Sequence, residues 1–136
     1  MIELPNKSSI AGSVEPKIIY DLGANNGINL DYYLKKADLV VAVEANPILV
    51  AEMQSRYADA ISAKRLVIEP VVVTTSAQPT RSAPFYLHKK DHLLSQFPTP
   101  NVYNRTNFDV VSLPSRHLTK IVEQYDAEIF RALLCN

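Results

Sequence analysis

At 136 residues and 47% hydrophobic content, the chain is long and apolar enough for one packed domain and too apolar for a disordered one. Lys+Arg and Asp+Glu balance at 14 each, with no basic run longer than a Lys pair, so nothing in the charge supports a nucleic-acid or anionic-membrane partner. The one cysteine, Cys135, excludes an internal disulfide and, with no Cys or His at ligand spacing, gives no zinc site. The N-terminal stretch carries charged and proline residues in place of an apolar core, and no run approaches the roughly 20 apolar residues that span a bilayer, so a cytoplasmic protein is expected.

Residues 1–16 read as a polar lead-in and 17–136 as a single domain. Ile18 to Leu22 is continuously apolar apart from Asp21 and is followed by a turn, the pattern of a short strand covered on both faces. The turn is DLGANNG, Asp21 to Gly27, which holds two of the chain's three glycines. Concentrating glycine after a strand predicts a tight bend shaped around a ligand. From Ile28 the period changes: Leu30, Tyr33, Leu34 and Ala37 share one helical face, with Asp31, Lys35 and Lys36 elsewhere. Leu39 to Val43 is a second buried strand, ending in Glu44. Asn46-Pro47 then combines a favoured N-cap with a favoured first helical residue, predicting a helix to about Tyr57 with Val50, Met53 and Tyr57 inward.

A third strand lies in RLVIEPVVVTT, where Pro70 predicts a bulge or two short pieces. SAQPTRSAP reads as a loop, FYLHK and FDVVSL as strands separated by an irregular stretch, and Leu118 to Tyr125 as a helix. The order β-α-β-α-β followed by β-β-α predicts an α/β fold with a parallel sheet and a hairpin insertion.

In such sheets ligands sit beyond the carboxyl ends of the strands, over a glycine turn that feeds a helix. The dinucleotide fingerprint G-x-G-x-x-G is not met, because Asn25 and Ile28 occupy its second and third glycine places. Asn25 tolerates the left-handed region and so can hold the bend. Glu44, at the tip of the neighbouring strand, is placed to accept hydrogen bonds from both hydroxyls of a ribose. Asp21 adds a carboxylate suited to a cationic amino group and unsuited to a pyrophosphate, which favours S-adenosyl-L-methionine over NAD. A structural turn and a solvated helix cap would account for the same residues without a ligand.

The segment IIYDLGANNGINLDYYLKKADLVVAVEANPILVAEMQ resembles the opening of FkbM-type S-adenosylmethionine-dependent methyltransferases, with their D-x-G-A-N-x-G turn and E-x-N-P strand end. LVIEPVVVTTSAQPTRSAPFYLHKKDHLLSQF and VVSLPSRHLTKIVEQY are similar to the family's middle in the order of their elements, so the likeness runs from about Lys17 to Tyr125. It implies that Asp21 faces the methionine amino group, that Gly23, Ala24, Asn25 and Gly27 back the carboxylate end, and that Glu44 binds the ribose with Ala45 near the adenine. It also implies methyl transfer to an oxygen of a small molecule or sugar. The family continues into a strand with a D-x-E-G-like segment, where this chain has AEIFRALLCN. The implied fold is therefore an incomplete class I methyltransferase (Rossmann-like) sandwich, C-terminally truncated, whose acceptor side is missing. Its first strand, expected to be central, has one unpaired edge open to self-association. An inactive remnant or an interaction module without catalysis is the alternative.

No catalytic residue is assigned. HKKDH, His88 to His92, is the only titratable cluster with a histidine, and a solvated hairpin end explains it. Ser95 and Gln96 are within the span that could touch an acceptor, and His117 is expected at the surface.

Overall fold

The apolar runs Ile18–Leu22 and Leu39–Val43 form strands β1 and β2, since a segment apolar on both alternating faces is stable only between two covering layers. The computed structural model describes residues 15–77, 80–91, 93, 95 and 99–135, with backbone alone for 133–135. The lead-in residues 1–14, His92, Gln96 and the side chain of Cys135 lie outside that description. Strand β3, Leu66–Glu69, pairs on the far side of β2, giving a parallel sheet in the order β1-β2-β3. The helices between these strands are α1 (Leu30–Lys36), α2 (Pro47–Arg56) and α3 (Ala58–Ser62).

The two-residue period of β2 divides the core. Val40 and Ala42 pack with Leu30 of α1 and Met53 of α2. Leu39, Val41 and Val43 point the other way, onto Ile121, Tyr125 and Ile129 of α4 (Leu118–Cys135). All five β2 residues are buried, so helices cover the parallel sheet on both faces.

Helix α4 runs on through AEIFRALLC, past the expected end at Tyr125. Ile121, Tyr125 and Ile129 recur every fourth residue with no glycine or proline between them, so the same stripe continues onto the sheet. Helix α3 was not expected either. It follows a kink at Tyr57 (φ −110°, ψ 26°) rather than a break in the chain.

Pro70 divides the third apolar run, as expected, into β3 and β4 (Val72–Thr74), and β4 leaves the first sheet. It pairs in parallel with β6 (Phe108–His117), which pairs antiparallel with β5 (Ser82–His88). This is the expected hairpin with longer arms, and its prolines are placed where they cost nothing. Ser115 N–H donates to Arg81 O (3.0 Å) and Lys89 N–H to Asn107 O (2.8 Å), so odd-numbered residues carry the hairpin bonds. Pro84 and Pro114 both turn their nitrogens away from the partner arm. On that other side β5 is an edge, and the β4 ladder begins only at Ser115.

Candidate functional site

The bend after β1 is held against the end of β2. Gly23 and Ala24 N–H both donate to Val43 O, at 2.8 and 3.0 Å. Gly23 (φ +74°), Asn25 (φ +54°) and Gly27 (φ +80°) all lie in the left-handed region, the conformation that their residue types were expected to permit. The two glycines differ in surroundings. A Cβ on Gly23 would meet nothing within 4 Å, whereas one on Gly27 would meet Leu30 Cδ1 at 3.0 Å and Met53 Cγ and Tyr57 Cε2 at 3.2 Å. Gly23 keeps a space open, and Gly27 lets α1 and α2 close together. Ala24, 4% exposed, also faces the core.

Glu44 reaches the bend. Its Oε1 accepts from Asn25 N–H and its Oε2 from Asn46 N–H, both at 2.8 Å, and only 6% of the residue is exposed. One carboxylate therefore ties the β1 turn to the start of α2. Asn46 Oδ1 caps that helix by accepting from Ile48 N–H at 3.0 Å. Burial pushes the Glu44 carboxyl above its ordinary pKa and the charge of Asp21 adds to the rise, while the backbone donors of Asn46, Asn25 and Ala45 oppose it. Asp21, half-buried at the tip of β1, is also pushed up by burial, and its Oδ2 is buried with no hydrogen-bond partner among the described residues. Two desolvated carboxylates thus share the carboxyl end of the sheet. The pair repels anions and would be relieved by a cation.

A cavity of about 200 Å³ opens beside Glu44, bordered also by Gly23, Asn25, Ala45, Phe85 and Ser95. It is smaller than the roughly 300–1,000 Å³ usual for whole-ligand pockets and of a size for one part of a ligand. A larger hollow of about 890 Å³ lies elsewhere, an open groove along the outer edge of β3 between α3 and α4. Apolar residues such as Ile61, Leu66 and Ile68 dominate it and among the described residues no buried polar groups converge there, so the smaller cavity is the candidate.

Of the residues expected in the site, Gly23, Asn25, Glu44 and Ala45 border the cavity, Asp21 lies near enough to Glu44 to act on its charge without lining the cavity, and Ala24 and Gly27 turn inward to the core. His88 and His117 use their Nδ1 atoms structurally. His88 accepts from Lys90 and Asp91 N–H at 3.2 and 3.0 Å, and His117 from Thr119 N–H at 3.1 Å at the start of α4. The sequence reading did not place Leu49, Val72 and Phe85 in the cavity wall; the latter two fall within segments read only as strands. It also missed a buried polar network in which Glu69 accepts from Arg116 (3.0 Å) and from the Tyr125 hydroxyl, binding β3 to β6 and α4. Glu69 ends β3 as Glu44 ends β2, but its charge is already paired.

No protein-family model matches the chain, and no curated protein and no solved structure matches it. Among the described residues no helix is long and apolar enough to cross a membrane, and no cluster of three or more His, Cys, Asp or Glu side chains could hold a metal ion.

Proposed function

We propose that this chain binds S-adenosyl-L-methionine and forms the cofactor-binding part of an FkbM-type methyltransferase on a class I framework, transferring methyl to an oxygen of a small molecule or sugar. The observation that carries this reading is Asp21 Oδ2, buried with no hydrogen-bond partner among the described residues, beside a turn whose Gly23 faces open space. A carboxylate oxygen stripped of water and partners is stabilised by a cationic donor, and the amino group of the cofactor is one. A dinucleotide would instead bring a pyrophosphate toward two carboxylates. Glu44 accepts from the backbone N–H groups of Asn25, Asn46 and Ala45, and of the roughly four acceptor sites of a carboxylate one is left for a ribose hydroxyl. The chain's contribution to catalysis is positioning, so that the acceptor oxygen approaches the methyl group in line.

Equilibrium dialysis against S-adenosylmethionine and NAD tests this. Selective uptake of the former is expected, weakened by about 1–3 kcal/mol in Glu44→Gln, which removes a charged acceptor. Uptake of neither ligand, or preference for NAD, would refute the proposal.

A second reading, an interaction module without catalysis, is favoured by the edge of β1. Lys17 O accepts from Asp38 and Leu39 N–H, and Gly23 N–H donates to Val43 O, so odd-numbered residues face β2. Ile18, Tyr20 and Leu22 turn their main-chain groups outward, where among the described residues no strand pairs with them. A second copy of the chain could add to that edge.

A further inference from the structure

We propose that Ser95 is the polar recognition point for the base of the bound nucleoside, donating its hydroxyl hydrogen to a ring nitrogen of the purine; this rests on the adenosyl-cofactor reading above. The serine oxygen accepts from His88 N–H at 2.9 Å and from Asn46 Nδ2 at 3.4 Å. A hydroxyl has two lone pairs and one hydrogen, so with both lone pairs engaged what remains is a donor. The donor cannot be exchanged for an acceptor by an amide flip of Asn46, because Asn46 Oδ1 is fixed by Ile48 N–H and the residue is fully buried.

Both supports are themselves held. His88 accepts from two backbone N–H groups through Nδ1 and stacks edge-on against Phe108 with ring centres 5.0 Å apart. The β5–β6 hairpin thereby delivers Ser95 to the wall of the cavity that Glu44 and Ala45 also border. Asn46, which contacts Ser95, follows Glu44 on the side away from the glycine turn. The methionine end would lie at Asp21 and Gly23 and the ribose at Glu44, which leaves Ser95 at the base. The remaining wall there, Leu49, Val72 and Phe85, is apolar and suits the faces of a heteroaromatic ring. A single donor among apolar side chains selects a ring that presents an acceptor at its edge.

The test is calorimetric titration of S-adenosylhomocysteine and its 1-deaza, 3-deaza and 7-deaza analogues into the wild type, Ser95→Ala and Ser95→Thr. Ser95→Ala should lose about three- to tenfold in affinity for the parent ligand, and Ser95→Thr, which keeps the hydroxyl, should recover most of it. One deaza analogue should bind the wild type weakly by the same factor and show no further loss on Ser95→Ala, while the other two show the full loss. An equal loss for all four ligands would mean that Ser95 only supports the hairpin, and no loss would remove it from the site; either overturns this inference and leaves the cofactor reading standing. A wild type that binds none of the ligands overturns both.

Discussion

The two glycines of the bend should fail differently when substituted by alanine. At Gly23 the cost is backbone strain alone, about 1–2 kcal/mol for an L-residue held in the left-handed region, since the new methyl meets nothing within 4 Å. At Gly27 the same strain applies at φ +80°, and the methyl also enters a space bounded at 3.0–3.2 Å by Leu30, Met53 and Tyr57. Leu30 and Met53 are fully buried and cannot swing into solvent. Overpacking of this kind adds about 1–3 kcal/mol, so Gly27→Ala should cost about 2–5 kcal/mol in all. Loss of unfolded-chain entropy is the same for both substitutions and cancels in the comparison. Urea unfolding at neutral pH, with midpoints converted through a shared m-value, should place Gly27→Ala below Gly23→Ala by about 1–3 kcal/mol. Ligand uptake should fall in the opposite order among molecules that remain folded, because only Gly23 borders the cavity. Equal stabilities, or a less stable Gly23→Ala, would refute the assignment of one glycine to open space and the other to packing.

Asp21→Asn should stabilise the free protein at pH 7 while weakening binding of a cationic ligand. The folded-state pKa of Asp21 is raised by burial, so its protonated form contributes stability that is full below the unfolded value of about 3.9 and is lost as pH rises through the raised folded value. Thermal unfolding from pH 7 down to 3.5 should show the advantage of the amide shrinking toward zero; an advantage independent of pH would contradict this. Glu69→Ala should cost about 2–4 kcal/mol, because it removes the carboxylate from the partly buried Arg116 guanidinium, leaving it only Gln124, and the acceptor from the Tyr125 hydroxyl, and Tyr125→Phe should cost about 1 kcal/mol by urea titration. If the outward edge of β1 pairs with a second copy, sedimentation velocity should detect concentration-dependent dimers that Leu22→Lys, at a residue 45% exposed, suppresses. A monomer at every concentration would remove that reading.

The core strands were legible because their chemistry is local. Ile18–Leu22 and Leu39–Val43 are apolar on both faces, Asn46-Pro47 carries its own helix start, and Pro70 cannot continue a ladder. The bend was legible for the same reason, since Gly23, Asn25 and Gly27 are the residue types that tolerate positive φ. Whether a glycine serves an open space or a helix contact is not local, and only the approach of Leu30, Met53 and Tyr57 decides it.

The reach of α4 was missed because the Ile121, Tyr125 and Ile129 stripe becomes a sheet-covering face only once the alternating side chains of β2 lie beneath it. The same holds for charge. Sequence reading picked out Asp21 and Glu44 at the strand tips and passed over Glu69, which ends β3 in the same way. Tertiary structure gave Glu69 the Arg116 guanidinium, gave Glu44 the backbone donors of Asn25, Asn46 and Ala45, and left one oxygen of Asp21 with no partner among the described residues. Residue type fixes what a side chain can bond, but the neighbours that satisfy it come from segments tens of residues away, and only folding brings them within reach.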